Sequence, residues 1–166
     1  MKNKGTLFLA QAAVIGAIYV VLTILFAPLS FGQVQIRFSE ALTILPCFTP
    51  AAIPGLFIGC IIANILGGAI PLDIIFGSVA TLIGAVFTYR LRNNNRFFAP
   101  IPPIAANSVI VPFVLRYGYG VNLPILLMML TVGIGEVISC GILGMILYTA
   151  LYKSKGIIFK SKKQTI

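Results

Sequence analysis

The sequence predicts an all-α integral membrane protein of six transmembrane helices, the second of them short. Three observations lead there. The 166 residues are 59% apolar and 9% charged, against about 25% charged in ordinary soluble domains, and the mean hydropathy is +1.06. The apolar residues fall in long runs, and a hydrocarbon layer about 30 Å thick needs roughly 20 of them per helix. The basic residues fall between and after those runs, in clusters. Helix is the spanning form because a backbone amide or carbonyl has no water to bond in lipid and must be paired within its own segment. The whole chain, residues 1–166, reads as a single transmembrane domain.

The first run, residues 6–27, stops at Pro28. It is long enough to span and has no small-residue cleavage pattern, so it reads as a retained helix rather than a signal peptide. A polar connection, "PLSFGQVQ", leads to a second run at residues 36–48 that contains Pro46. That run is too short to cross as a regular helix rising about 1.5 Å per residue. After "TPAAIPG" comes a third run, 52–68, and then a fourth, 72–89, which ends before Arg90, Arg92 and Arg96. The fifth, 98–116, opens on "APIPP" and closes on Arg116. The sixth, 123–152, passes into a tail holding Lys153, Lys155, Lys160, Lys162 and Lys163.

Charge settles the count. With residues 36–48 taken as a crossing, the amino-terminal Lys2 and Lys4, the arginine cluster and the lysine tail all fall on one side. Without it, the arginines and the tail would lie on opposite sides. The positive-inside rule therefore predicts six spans in the cell membrane with both termini cytoplasmic. The net charge of +9 is topology signal, since it lies in loops and tails and not on one face that could neutralise a run of phosphates. Nucleic acid is not an expected partner.

Several chemistries are missing. The chain has no histidine, the commonest metal ligand and acid–base residue. Cys47, Cys60 and Cys140 sit in apolar runs without paired spacing and read as small core residues. No GxxxxGK[ST] loop is present, so P-loop ATP hydrolysis is excluded. No metal, no cofactor and no enzymatic activity are expected.

The chain has three acidic residues, and each falls in or at the end of a span. In "VQIRFSEALTI", Arg37 and Glu40 lie one turn apart at the outer end of the second span. They can anchor the helix end as a local pair or contribute to a site. Asp73 opens the fourth span just after Pro71, where it can serve free amides and the helix dipole. Asn64, in the outer half of the third span, and Asn107, midway along the fifth, can be interhelical glue worth about 0.6 kcal/mol each. Glu136, in "TVGIGEVISCG", sits deepest and needs a partner or a cavity. The six residues Glu136, Asn107, Asp73, Asn64, Glu40 and Arg37 are the candidate ligand-binding set. Glu136 is the expected reader of the ligand, and the Arg37–Glu40 pair is expected to hold the outer mouth in shape. Small residues at helical spacing, Gly55 with Gly59 and Ala13 with Gly16 and Ala17, permit close helix approach, with internal packing as the default.

The stretches "IRFSEALTILP", "IPGLFIGCIIANILGG", "LDIIFGSVATLIGA", "PPIAANSVIVP" and "VGIGEV" resemble the queuosine-precursor transporter (QueT-type) family, in order and over residues 7–150. The family comprises substrate-binding S components of energy-coupling factor (ECF) transporters. The resemblance implies an S-component-like six-helix bundle that captures substrate at its outer face. It also implies a transmembrane coupling subunit and two cytoplasmic ATPases as partners. Ala13, Gly16 and Ala17 would then meet the coupling subunit. The implied substrate is a 7-deazaguanine such as 7-aminomethyl-7-deazaguanine (pre-queuosine 1). Its guanine edge offers N–H donors that suit a carboxylate and an O6 acceptor that suits an amide N–H. Its aminomethyl cation suits a second carboxylate. The loop carrying Gln33 and Gln35 could close over it. Alternatives are an S component for another vitamin or nucleobase-like micronutrient, a channel or self-contained carrier, and a membrane enzyme whose catalytic groups are not visible.

Overall fold

The structure, a computed structural model, describes residues 2–30 and 36–158. Gln33, Gln35, Lys160, Lys162 and Lys163 lie outside the described residues. Among those described, all regular structure is helical. Helix α1 spans Lys2–Leu25 and is followed by a single turn at Ala27–Ser30. A 3₁₀ helix covers Phe38–Cys47, then come α2 (Ala52–Leu66) and α3 (Pro71–Leu91). A 3₁₀ turn at Arg96–Phe98 leads into α4 (Ile101–Tyr117). Helix α5 is α-helical over Ile125–Glu136, widens to a π-helix over Val137–Leu143, and returns to α over Gly144–Ile158. Four stretches are long and apolar enough to cross a membrane: Lys4–Leu25, Pro71–Leu91, Arg96–Tyr117 and Ile125–Lys153. Phe38–Cys47 and Ala52–Leu66 are shorter apolar helices.

The short run at 36–48 adopts a more extended helix type. A 3₁₀ helix rises ~2.0 Å per residue, so the ten residues here reach about 20 Å, whereas an α-helix of that length reaches about 15 Å. Ten residues is long for this conformation, which rarely exceeds a turn. Tertiary packing holds it. Ser39, Glu40, Leu42, Thr43, Ile44, Leu45 and Pro46 are all buried, so almost no face is left outward, and α1, α2, α3 and α5 surround it. The segment lies inside the bundle, against four of its five long helices.

Helix α1 reaches α2 through bare backbone. A Cβ added at Gly16 would stand 3.0 Å from the Gly55 carbonyl oxygen, and one at Gly55 would stand 2.6 Å from that of Ala12. One at Gly59 would be 3.0 Å from the Gly16 Cα. Larger residues at these positions would push the helices apart. Beside this seam Ile15, Tyr19, Leu42, Leu45, Leu56 and Cys60 form a buried cluster. Helices α3 and α4 meet just as closely, where a Cβ on Gly84 would lie 2.7 Å from the Pro103 Cα.

Candidate polar centre

The last turn before the 3₁₀ helix places Arg37. Its backbone is extended (φ −98°, ψ 106°), which takes it off the helical edge that Glu40 and Thr43 share at three-residue spacing. Its Nη2 lies 3.7 Å from Asp73 Oδ2. Asp73 stands in the first turn of α3 behind Pro71, where the amino-terminal end of the helix dipole favours an anion. Its Oδ2 also accepts from the Tyr119 hydroxyl at 3.1 Å, and that hydroxyl in turn accepts from the Ile70 N–H at 3.4 Å. Burial and the Asp73 carboxylate push the Tyr119 hydroxyl above its ordinary value. Asn64 Nδ2 donates to the Asp73 carbonyl at 3.3 Å and lies 3.7 Å from Cys60 Sγ. Gly77 leaves the space these groups occupy, because a Cβ there would sit 2.8 Å from Asp73 Oδ1.

Glu40 points the other way. One carboxylate oxygen accepts from the Tyr19 hydroxyl of α1. Thr81 of α3 and Asn107 of α4 face the same carboxylate, yet Oε2 has no hydrogen-bond partner among the described residues. Glu136 closes the centre from α5, at the point where that helix widens. Its Oε2 lies 3.1 Å from Cys140 Sγ, and Asn107 faces it too. The Thr43 hydroxyl donates to Cys140 Sγ at 3.4 Å, and that sulfur is 3.5 Å from the Glu40 carbonyl. Ligand atoms of Glu40, Glu136 and Cys140 all lie within 4.8 Å of one another. Two carboxylates and a thiol so placed can accept a cation, although hard carboxylates beside one soft sulfur match no particular transition metal.

All six candidate residues are buried: Arg37 at 4% exposure, Glu40 at 0%, Asn64 and Asp73 at 1%, Asn107 at 4% and Glu136 at 3%. They gather into two adjoining groups. One joins Arg37, Asp73 and Asn64, and the other joins Glu40, Asn107 and Glu136. Cys60 connects them, since it lies near Asn64 and accepts from Thr81 at 3.5 Å. The expected mouth pair of Arg37 with Glu40 is replaced: Arg37 bridges to Asp73, and both residues lie too deep for water to screen them. Of the three small residues on α1, Ala13 and Ala17 face outward while Gly16 is buried against Gly55. Gly16 therefore belongs to the internal α1–α2 seam.

Tyr19, Thr81, Tyr119 and Cys140 were not singled out from sequence as parts of this centre. Cys140 carried a signal, since four residues after Glu136 puts it on the same helical face. Tyr19, Thr81 and Tyr119 carried none.

An apolar helical bundle that spends its scarce charge on one buried cluster is a membrane protein with a polar centre. Residues 9–153 match the model of the QueT transporter family, and the chain belongs to that family. The resemblance read from the motifs is thereby borne out. The chain is 34% identical over 85 residues to the queuosine precursor transporter QueT of Lactococcus lactis subsp. cremoris (strain MG1363). That alignment takes in 50% of each protein, so the chain spans about half the length of the curated relative it matches. No solved structure matches it.

Proposed function

We propose that the protein is the substrate-binding membrane subunit, the S component, of an ECF-type importer. It captures a queuosine precursor such as 7-aminomethyl-7-deazaguanine at the outer face of the cell membrane. The observation that carries this is the combination of carboxylates and amides in one buried cluster of an otherwise apolar bundle. Glu136 and Glu40 supply acceptors for ring N–H groups and an ammonium, while Asn107 supplies an amide donor for a ring carbonyl. Arg37, Asp73 and Asn64 border the same centre. The L. lactis relative, a queuosine precursor transporter by name, supports the substrate class.

The chain forms one transmembrane domain with six crossings. The 3₁₀ helix and α2 count as crossings because they complete an arrangement in which the basic clusters share the cytoplasmic side with both termini. Ala13 and Ala17 on the open face of α1 meet the coupling subunit, and two cytoplasmic ATPases energise transport. The subunit's work is binding and passage, not catalysis. Calorimetric titration of the purified chain with 7-aminomethyl-7-deazaguanine, with guanine as comparison, tests the substrate. Copurification with ATPase subunits tests the assembly. A chain that imports ligand in vesicles without any ATPase would be a self-contained carrier, and the assembly reading would fall.

A further inference from the structure

All three acidic residues of the chain converge on this centre, and they meet a single arginine. Arg37 and Asp73 make a pair with no net charge. Glu40 and Glu136 remain, both buried, with their oxygens and Cys140 Sγ within 4.8 Å of one another. The groups facing them are otherwise neutral: the Tyr19 hydroxyl from α1, the Cys60 thiol from α2, Thr81 from α3, Asn107 from α4 and the Cys140 thiol from α5. Arg37 also acts on both carboxylates, but its charge is shared with Asp73. Two like charges this close, both buried, repel each other and favour a positive charge between them. Glu40 Oε2 is an independent pointer to where it goes. It is a buried acceptor without a hydrogen-bond partner among the described residues, and such atoms are costly when left unsatisfied.

We propose that Glu40 and Glu136 together read the positive charge of the ligand. With no ligand the pair holds one proton, and a ligand ammonium takes its place. The exchange balances. The ligand enters carrying its own proton as R–NH₃⁺, the proton of the pair leaves to water, and no covalent bond changes except that O–H. The site thereby distinguishes a 7-deazaguanine with a cationic arm from one with a neutral arm of similar size. The inference rests on the S-component reading above.

The test is calorimetric titration of the full purified chain at one pH, in two buffers of different ionisation enthalpy. The probes are 7-aminomethyl-7-deazaguanine and the neutral 7-cyano-7-deazaguanine. The difference in heat between buffers counts protons. The expected result is close to one proton released per amine bound and none for the nitrile. The sign follows from the exchange: the amine stays cationic while the pair must lose its proton, so amine affinity rises about tenfold per pH unit over the range where the pair is protonated. Glu40→Gln and Glu136→Gln, each with a thermal melt to establish folding, should abolish proton release and flatten the pH dependence of amine affinity, because the one remaining carboxylate has no shared proton to give up. Amine binding without proton release, or nitrile binding as tight as amine binding, overturns the inference and leaves the substrate reading standing. If neither ligand binds, both fall.

Discussion

Arg37 reaches past Glu40, three residues along its own segment, to set its guanidinium 3.7 Å from Asp73 on α3. The pair ties the start of the 3₁₀ helix to the start of α3, and both side chains are almost wholly enclosed. Removing one member takes from the other its ion-pair partner in the interior, which costs about 3–5 kcal/mol. Arg37→Ala and Asp73→Ala should each lower the unfolding temperature of the detergent-solubilised protein markedly. The double variant should be less destabilised than the sum of the two. Strict additivity would mean that the two charges do not depend on each other.

Glu136 gives the second prediction. Loss of a hydrogen bond between a charged group and a buried ligand costs on the order of 1.5–3 kcal/mol, or roughly tenfold to a hundredfold in affinity. Glu136→Gln should weaken binding of the aminomethyl ligand by that factor in a titration, with the melting curve showing a folded protein. Unchanged affinity would remove Glu136 from the ligand.

The third prediction separates the two faces of α1. Gly55→Ala puts a methyl group 2.6 Å from the Ala12 carbonyl oxygen, so it should destabilise the isolated protein by about 1–3 kcal/mol, as overpacking does. Leucine at Ala13 and Ala17, which face outward, should leave the melt and ligand binding intact while abolishing copurification with the coupling subunit. Normal assembly of the double-leucine variant would put that subunit elsewhere.

Membrane sidedness gives the fourth. On a cysteine-free background, a cysteine at Asn122 should react with an impermeant reagent added outside intact cells, whereas one at Lys160 should react only after the membrane is opened. Outside labelling at Lys160 would break the six-crossing arrangement.

Much of this architecture was legible in the sequence, for a simple reason. Apolar runs and basic clusters are one-dimensional signals, and they locate helices before any packing is known. Charge scarcity did the same for the site: with so few acidic residues, Glu40, Asp73 and Glu136 stood out by type alone. Their pairing did not. Arg37 and Asp73 meet only because α2 returns the chain alongside its own start, and Glu40 was the nearer partner on paper. The 3₁₀ form was hidden because periodicity over so short a run, broken by Pro46, distinguishes no helix type. The π segment after Glu136 leaves no trace in hydropathy, and Tyr19 looks like any aromatic in an apolar span.

The glycine seam between α1 and α2 has a mechanical consequence. Where helices meet through side chains, a push on one is partly absorbed as the side chains change rotamer. Gly16, Gly55 and Gly59 have nothing to rotate, and a Cβ at Gly59 would already be 3.1 Å from that of Tyr19. The two helices should therefore shift together as a single stiff plate. Tyr19 stands on that plate with its hydroxyl on Glu40, so a displacement applied at the exposed face of α1, beside Ala13 and Ala17, should be carried to the carboxylate with little loss.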